Sequence, residues 1–179
     1  MKKICVYCGS RKPNDSDLAD LPVNLGKWIA NKGWEVVYGG GKVGMMGLLA
    51  DAALAENGRV TGVIPTVLKK VEIVHPDLTD LHETQDMHTR KALMETLSDA
   101  FVVLPGGFGT LDEFFEILTW RQLGIHDKPI ILLNAKGYFD GLEAFTKKAL
   151  SEDYIRESTS NLFQIAYSLD DCFKKMEAL

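Results

Sequence analysis

Cysteine is scarce: three residues in a chain of 179, an odd and small number that excludes a disulfide framework and fits a reducing compartment. Proline is scarcer than glycine, 6 against 16, and with 46% hydrophobic residues and a mean hydropathy of -0.04 the composition is neither collagen-like nor disordered. No apolar run approaches the roughly 18 residues that a membrane span requires. The start, Met1 to Cys8, reaches Gly9-Ser10 after a handful of apolar residues and lacks the long apolar stretch of a secretory signal. A soluble, cytoplasmic protein with no membrane partner is expected. The net charge is -5, and the 20 Lys and Arg form no basic block, so nucleic acid is not an expected partner. There is no H-E-x-x-H and no Cys/His ligand spacing, hence no metal, and no G-x-S-x-G nucleophile elbow.

What remains is enough for a single domain over 1–179 with one core. A short β-branched run at Lys3 to Cys8 is followed by apolar residues at helical spacing from Leu18 to Lys32. The unit recurs: a strand over Trp34 to Tyr38 and a helix from about Val43 to Glu56, then a strand over Arg59 to Ile64. Periodicity is poor from Thr66 to Gln85, where only a short strand near Leu81 to Glu83 is expected. A helix over Met87 to Leu97, a strand over Ala100 to Leu104 and a helix over Thr110 to Leu123 come next. They precede a strand at Ile130 to Leu133, a helix over Phe139 to Leu150, an apolar segment at Leu162 to Tyr167 and a helix from about Leu169 to Met176. Near-continuous apolar strands alternating with helices predict a doubly wound, Rossmann-like α/β domain, with a mostly parallel sheet and helices on both faces. Ligands of such sheets bind beyond the carboxyl ends of the strands, which directs attention to glycine-rich turns there.

Cys5 and Cys8 spell C-x-x-C, yet they lie inside a strand, where an odd separation places them on opposite faces. Gly39, Gly41 and Gly44 satisfy G-x-G-x-x-G after a strand and before a helix. A dinucleotide site also needs an acid at the end of the next strand, and Val63-Ile64-Pro65-Thr66 offers none; a tight turn explains these glycines as well. The second glycine turn, Pro105-Gly106-Gly107-Phe108-Gly109-Thr110, carries more. It joins a buried strand to a helix, so unpaired N–H groups of the first helical turn can hold an anion, with Thr110 as cap or donor. No lysine follows in Walker spacing, so a monophosphate fits better than a triphosphate. Glu113 stands three residues after Thr110, where it closes a capping box or presents a carboxylate near the bound phosphate. Glu116 lies one turn further on, and Arg90-Lys91 is a basic pair that such a site could use.

Residues Pro105 to Glu113 resemble the PGGxGTxxE signature of the Lonely Guy (LOG) family of cytokinin riboside 5'-monophosphate phosphoribohydrolases, many of which carry a "lysine decarboxylase" label. Cys8-Gly9-Ser10, Tyr38 to Gly47, Val63-Ile64-Pro65, Asp86 to Lys91 and Thr119 to Pro129 resemble the same family in order and spacing. The departures are Met45 for a common leucine, Asp112 for a common glutamate and Arg121 for a common alanine. The resemblance implies cofactor-free hydrolysis of the N-glycosidic bond of a nucleoside 5'-monophosphate, such as AMP or N6-modified AMP. It implies Arg90 and Glu113 as the catalytic pair, with Glu72, Lys91, Gly107, Phe108, Gly109, Thr110, Leu111 and Asp112 contacting the nucleotide. Gly9, Ser10, Gly40, Gly41 and Met45 would line the same cleft, and a homodimer is implied, with Trp120 and the apolar faces of its helix permitting one. Two other classes stand beside this: a pyridoxal-phosphate lysine decarboxylase, for which the chain is small, and a non-catalytic nucleotide or cofactor carrier or sensor using the same cleft.

Overall fold

The computed structural model describes residues 1–70, 73–157 and 161–178. Seven strands form one sheet: β1 (Lys3–Tyr7), β2 (Glu35–Tyr38), β3 (Arg59–Pro65), β4 (Asp80–Thr84), β5 (Ala100–Val103), β6 (Ile130–Leu133) and β7 (Gln164–Ala166). Their order is β4-β3-β2-β1-β5-β6-β7, and every neighbouring pair is parallel. Among the described residues six α-helices alternate with them: α1 (Ser16–Asn31), α2 (Gly44–Ala55), α3 (Met87–Leu97), α4 (Phe108–Gln122), α5 (Asp140–Ser151) and α6 (Leu169–Glu177). This is the expected doubly wound sheet, and the elements match the apolar periodicity to within a few residues.

The side-chain period of 2 in each strand divides the core into two layers. On one face Leu25 and Ile29 of α1, Leu49 of α2 and Cys172 and Met176 of α6 pack over Ile4, Val36 and Val102. On the other, Met94 of α3, Phe114 and Ile117 of α4 and Phe139 pack over Cys5, Val37 and Phe101. Cys5 and Cys8 fall in different layers, and burial pushes both thiols far up, so neither is a thiolate and no redox pair exists.

The chain winds outward from β1 through β2 and β3 to β4, then returns to place β5 on the other side of β1. At that reversal the connections leaving β1 and β5 diverge to opposite faces of the sheet, and the space between them opens at the carboxyl ends of the strands. Gly9 follows β1 and Gly106 follows β5, and the Gly9 N–H donates to the Pro105 carbonyl at 3.2 Å, joining the two turns at the base of that opening.

Candidate active site

A cleft of about 830 Å³ occupies the crevice, within the range of small-molecule sites. Ser10 and the Pro105 to Thr110 turn form its base, Met45 and Met46 of α2 one wall, and Arg90 and Glu113 reach it from α3 and α4.

Arg90 is placed by the start of its helix. Asp86 is the N-cap of α3; its carboxylate accepts from the Thr89 N–H at 2.8 Å and the Thr89 hydroxyl at 2.9 Å, fixing the first turn. Arg90, one turn in, is buried, donating from Nε to the Val63 carbonyl (3.0 Å) and from Nη1 to Glu113 Oε1 (2.9 Å). Its remaining edge lies against Gly39, where a β-carbon would come within 2.3 Å of Nη2. The glycine at the end of β2 is thus space for a guanidinium.

Glu113 is only 8% exposed. Burial raises its pKa from the ordinary carboxylate value to about 6; Arg90 and Lys91 oppose the rise and Asp112 adds to it. The capping-box alternative fails, because α4 begins at Phe108 with Gly107 as N-cap and no side-chain cap, and Glu113 lies inside the helix with its carboxylate turned to Arg90. Ionised Glu113 is the form that burial disfavours, so the stability its protonated form contributes is lost as pH rises from about 4.5 through about 6. The chemistry has the opposite dependence. If the carboxylate is the active form, kcat falls about tenfold per pH unit below about 6 and levels off above it. A pH profile of kcat for wild type and Glu113→Gln checks this, since the substrate phosphate also titrates near pH 6; the limb should be missing from the variant's residual activity.

The turn after β5 presents donors. Among the described residues no group accepts from the N–H of Gly107, Phe108, Gly109 or Thr110, while the nearby carbonyls are occupied. Pro105 O accepts from Gly9, Gly106 O from the Tyr138 hydroxyl (2.8 Å), and Gly107 O from the Leu111 N–H (3.1 Å). A side chain at Gly106 would stand 2.1 Å from Thr110 Oγ1, so the turn closes this tightly only with glycine there. Free amides at the N-terminus of a fifteen-residue helix are the arrangement that anion binding uses.

Of the residues expected from the sequence, Arg90, Glu113, Gly107, Phe108, Gly109, Thr110, Gly9, Ser10 and Met45 come together around this cleft. Lys91, Leu111, Asp112, Gly40 and Gly41 do not line it. Lys91 is buried but points to α4, where Asp112 (3.0 Å) and Glu116 hold it and raise its pKa. Glu116 therefore ties α3 to α4. Gly40 and Gly41 face a strap instead: the His75 N–H donates to Gly40 O, Lys42 N–H donates to Ile73 O, and Gly41 bridges to Val74. The strap thereby engages the Lys42 N–H of the G-x-G-x-x-G turn. Glu72 lies outside the described residues. The sequence reading missed Tyr138, Met87, Leu68 and the exposed cations Arg11 and Lys12, all of which border the cleft. Among the described residues no group of three or more His, Cys, Asp or Glu could hold a metal ion.

The family described as "Possible lysine decarboxylase" matches residues 46–176. The cytokinin riboside 5'-monophosphate phosphoribohydrolase LOG1 of Arabidopsis thaliana is 43% identical over 176 residues, covering 98% of this chain and 83% of that protein. The chain belongs to the LOG family. A second LOG relative, the probable phosphoribohydrolase LOGL6 of Oryza sativa subsp. japonica, is 42% identical, covering 99% of this chain and 71% of its own length. Among solved structures, a molybdenum cofactor binding protein from Rippkaea orientalis superposes with a TM-score of 0.75 at 24% identity, covering 99% of this chain and 97% of that one. The molybdenum cofactor carrier protein of Chlamydomonas reinhardtii gives 0.74 at 20%, covering 99% and 96%. At such identities the likeness shows a shared fold alone.

Proposed function

We propose that this protein hydrolyses the N-glycosidic bond of a nucleoside 5'-monophosphate, AMP or its N6-modified forms, to free base and ribose 5-phosphate, without a cofactor. The observation that carries the reading is the buried Arg90–Glu113 pair set in the same cleft as the amide turn of Gly107 to Thr110. The turn binds the 5'-phosphate and so holds the ribose beside Glu113. As the bond from C1' to the base nitrogen breaks, its electron pair leaves with the base and positive charge grows on the ribose ring. The Glu113 carboxylate stabilises that charge and orients the water whose oxygen bonds to C1'. One of the water's protons goes to the departing base, and the other stays in the C1' hydroxyl of ribose 5-phosphate. Arg90 holds Glu113 in place and favours its ionised form against burial.

The decarboxylase label fits these residues poorly. A Schiff-base lysine needs its pKa lowered, usually by burial, whereas the cleft's lysine, Lys12, is exposed and the buried Lys91 has its pKa raised by two carboxylates. Incubation with AMP and with N6-modified AMP, followed by chromatography for free base, tests the proposal. Base release supports the hydrolase, and binding without release supports a carrier.

The protein is further proposed to work as a single domain in the cytoplasm, where its buried free thiols remain reduced, and as a homodimer. Support for the dimer comes from Phe108, Phe115, Leu123 and Ile125, large apolar side chains left exposed on and just after α4, while Trp120 is half-buried. Sedimentation equilibrium should give a dimer for the wild type and a monomer for Phe115→Asp; a monomeric wild type contradicts the dimer.

A further inference from the structure

Tyr138 precedes α5 and belongs to none of the motifs that mark the site, yet its hydroxyl donates to the Gly106 carbonyl at 2.8 Å and its ring borders the cleft. We infer that Tyr138 is a positioning residue for phosphate recognition, locking the Gly106–Gly107 peptide in the orientation that the amide cradle requires. The inference rests on the reading of that turn as the phosphate site.

The need for a lock follows from the sequence of the turn. A peptide between two glycines meets little steric resistance to rotation about its flanking bonds. Because its C=O and N–H point in opposite directions, a flip exchanges a donor for an acceptor. Next to a phosphate that exchange replaces attraction with repulsion. The flanking carbonyls are tied by backbone groups, Pro105 O by the Gly9 N–H and Gly107 O by the Leu111 N–H. The Gly106 oxygen alone depends on a side chain, the Tyr138 hydroxyl, for its hydrogen bond. That side chain is itself held: its ring stacks edge-on against buried Phe139 with centroids 5.0 Å apart. The Phe139 N–H in turn donates to Asn134 Oδ1 at 2.7 Å, at the end of β6. The loop after β6 thereby braces the turn after β5.

Tyr138→Phe keeps the ring and its contact with Phe139 and removes only the hydroxyl. KM for AMP should rise about five- to tenfold, the size of one net hydrogen bond, with kcat within twofold of wild type. Ribose 5-phosphate binding, followed by calorimetry, should weaken by the same factor, while inhibition by free adenine and the melting temperature stay unchanged. Unchanged KM and ribose 5-phosphate affinity would overturn the inference, as would a loss confined to kcat or one shared equally by adenine. The calorimetric arm needs no turnover. A wild type that binds ribose 5-phosphate in a Tyr138-dependent way but releases no base from AMP overturns the hydrolase reading and sustains this one.

Discussion

Glu113→Gln is expected to lower kcat at least about 100-fold, with AMP still bound. The substitution keeps the volume and one hydrogen-bond acceptor for Arg90 but removes the negative charge that the proposed mechanism sets against the ribose, and groups aimed at developing charge are worth roughly 100- to 1,000-fold in rate. Because the proposed phosphate site consists of backbone amides and not of the Glu113 side chain, KM should change far less than kcat. Arg90→Ala should lose as much for a different reason. Without the guanidinium, burial is opposed only by Lys91, and the Glu113 pKa rises above about 6, so the loss at neutral pH should shrink on moving to alkaline pH. Breaking a buried ion pair also costs stability, about 3 to 5 kcal/mol, which makes a melting curve the necessary companion measurement. Unchanged turnover in either variant refutes the assignment.

Much of this was legible before any coordinates, and the reasons are specific. The central strands are buried on both faces, so β1, β2, β5 and β6 announce themselves as apolar runs ending in glycine, proline or asparagine. The turn of free amides after β5 was legible because its cause is local, residing in a glycine turn that opens a helix. The edge strand β4 was read only in part: four of its five residues are exposed, and Asp80, His82 and Glu83 carry no apolar periodicity. Long-range pairings were not legible from local pattern, and only the family resemblance set Arg90 beside Glu113. Nothing in the local sequence shows that Glu113 meets Arg90 across 23 residues rather than capping its own helix, or that Lys91 turns to Glu116 and not to the ligand. The role of Gly39 was likewise hidden, since a glycine retained to admit a guanidinium from α3 looks like one retained for a turn. Tyr138 was invisible for the same reason, its partner lying 32 residues earlier.

The phosphate anchor makes the second large prediction. If the proposal holds, three or more charge-assisted hydrogen bonds from the amides of Gly107 to Thr110 would together be worth about 4 kcal/mol in holding the ribose beside Glu113, or roughly 1,000-fold in kcat/KM. Adenosine, which lacks only the 5'-phosphate, leaves that cradle empty while presenting the same bond and the same base. The measurement that bears most directly on the whole account is therefore kcat/KM for adenine release from AMP and from adenosine, taken side by side on the wild-type protein. A ratio of about 1,000 or more in favour of AMP is expected; adenosine cleaved as well as AMP, or no adenine from either, would contradict it.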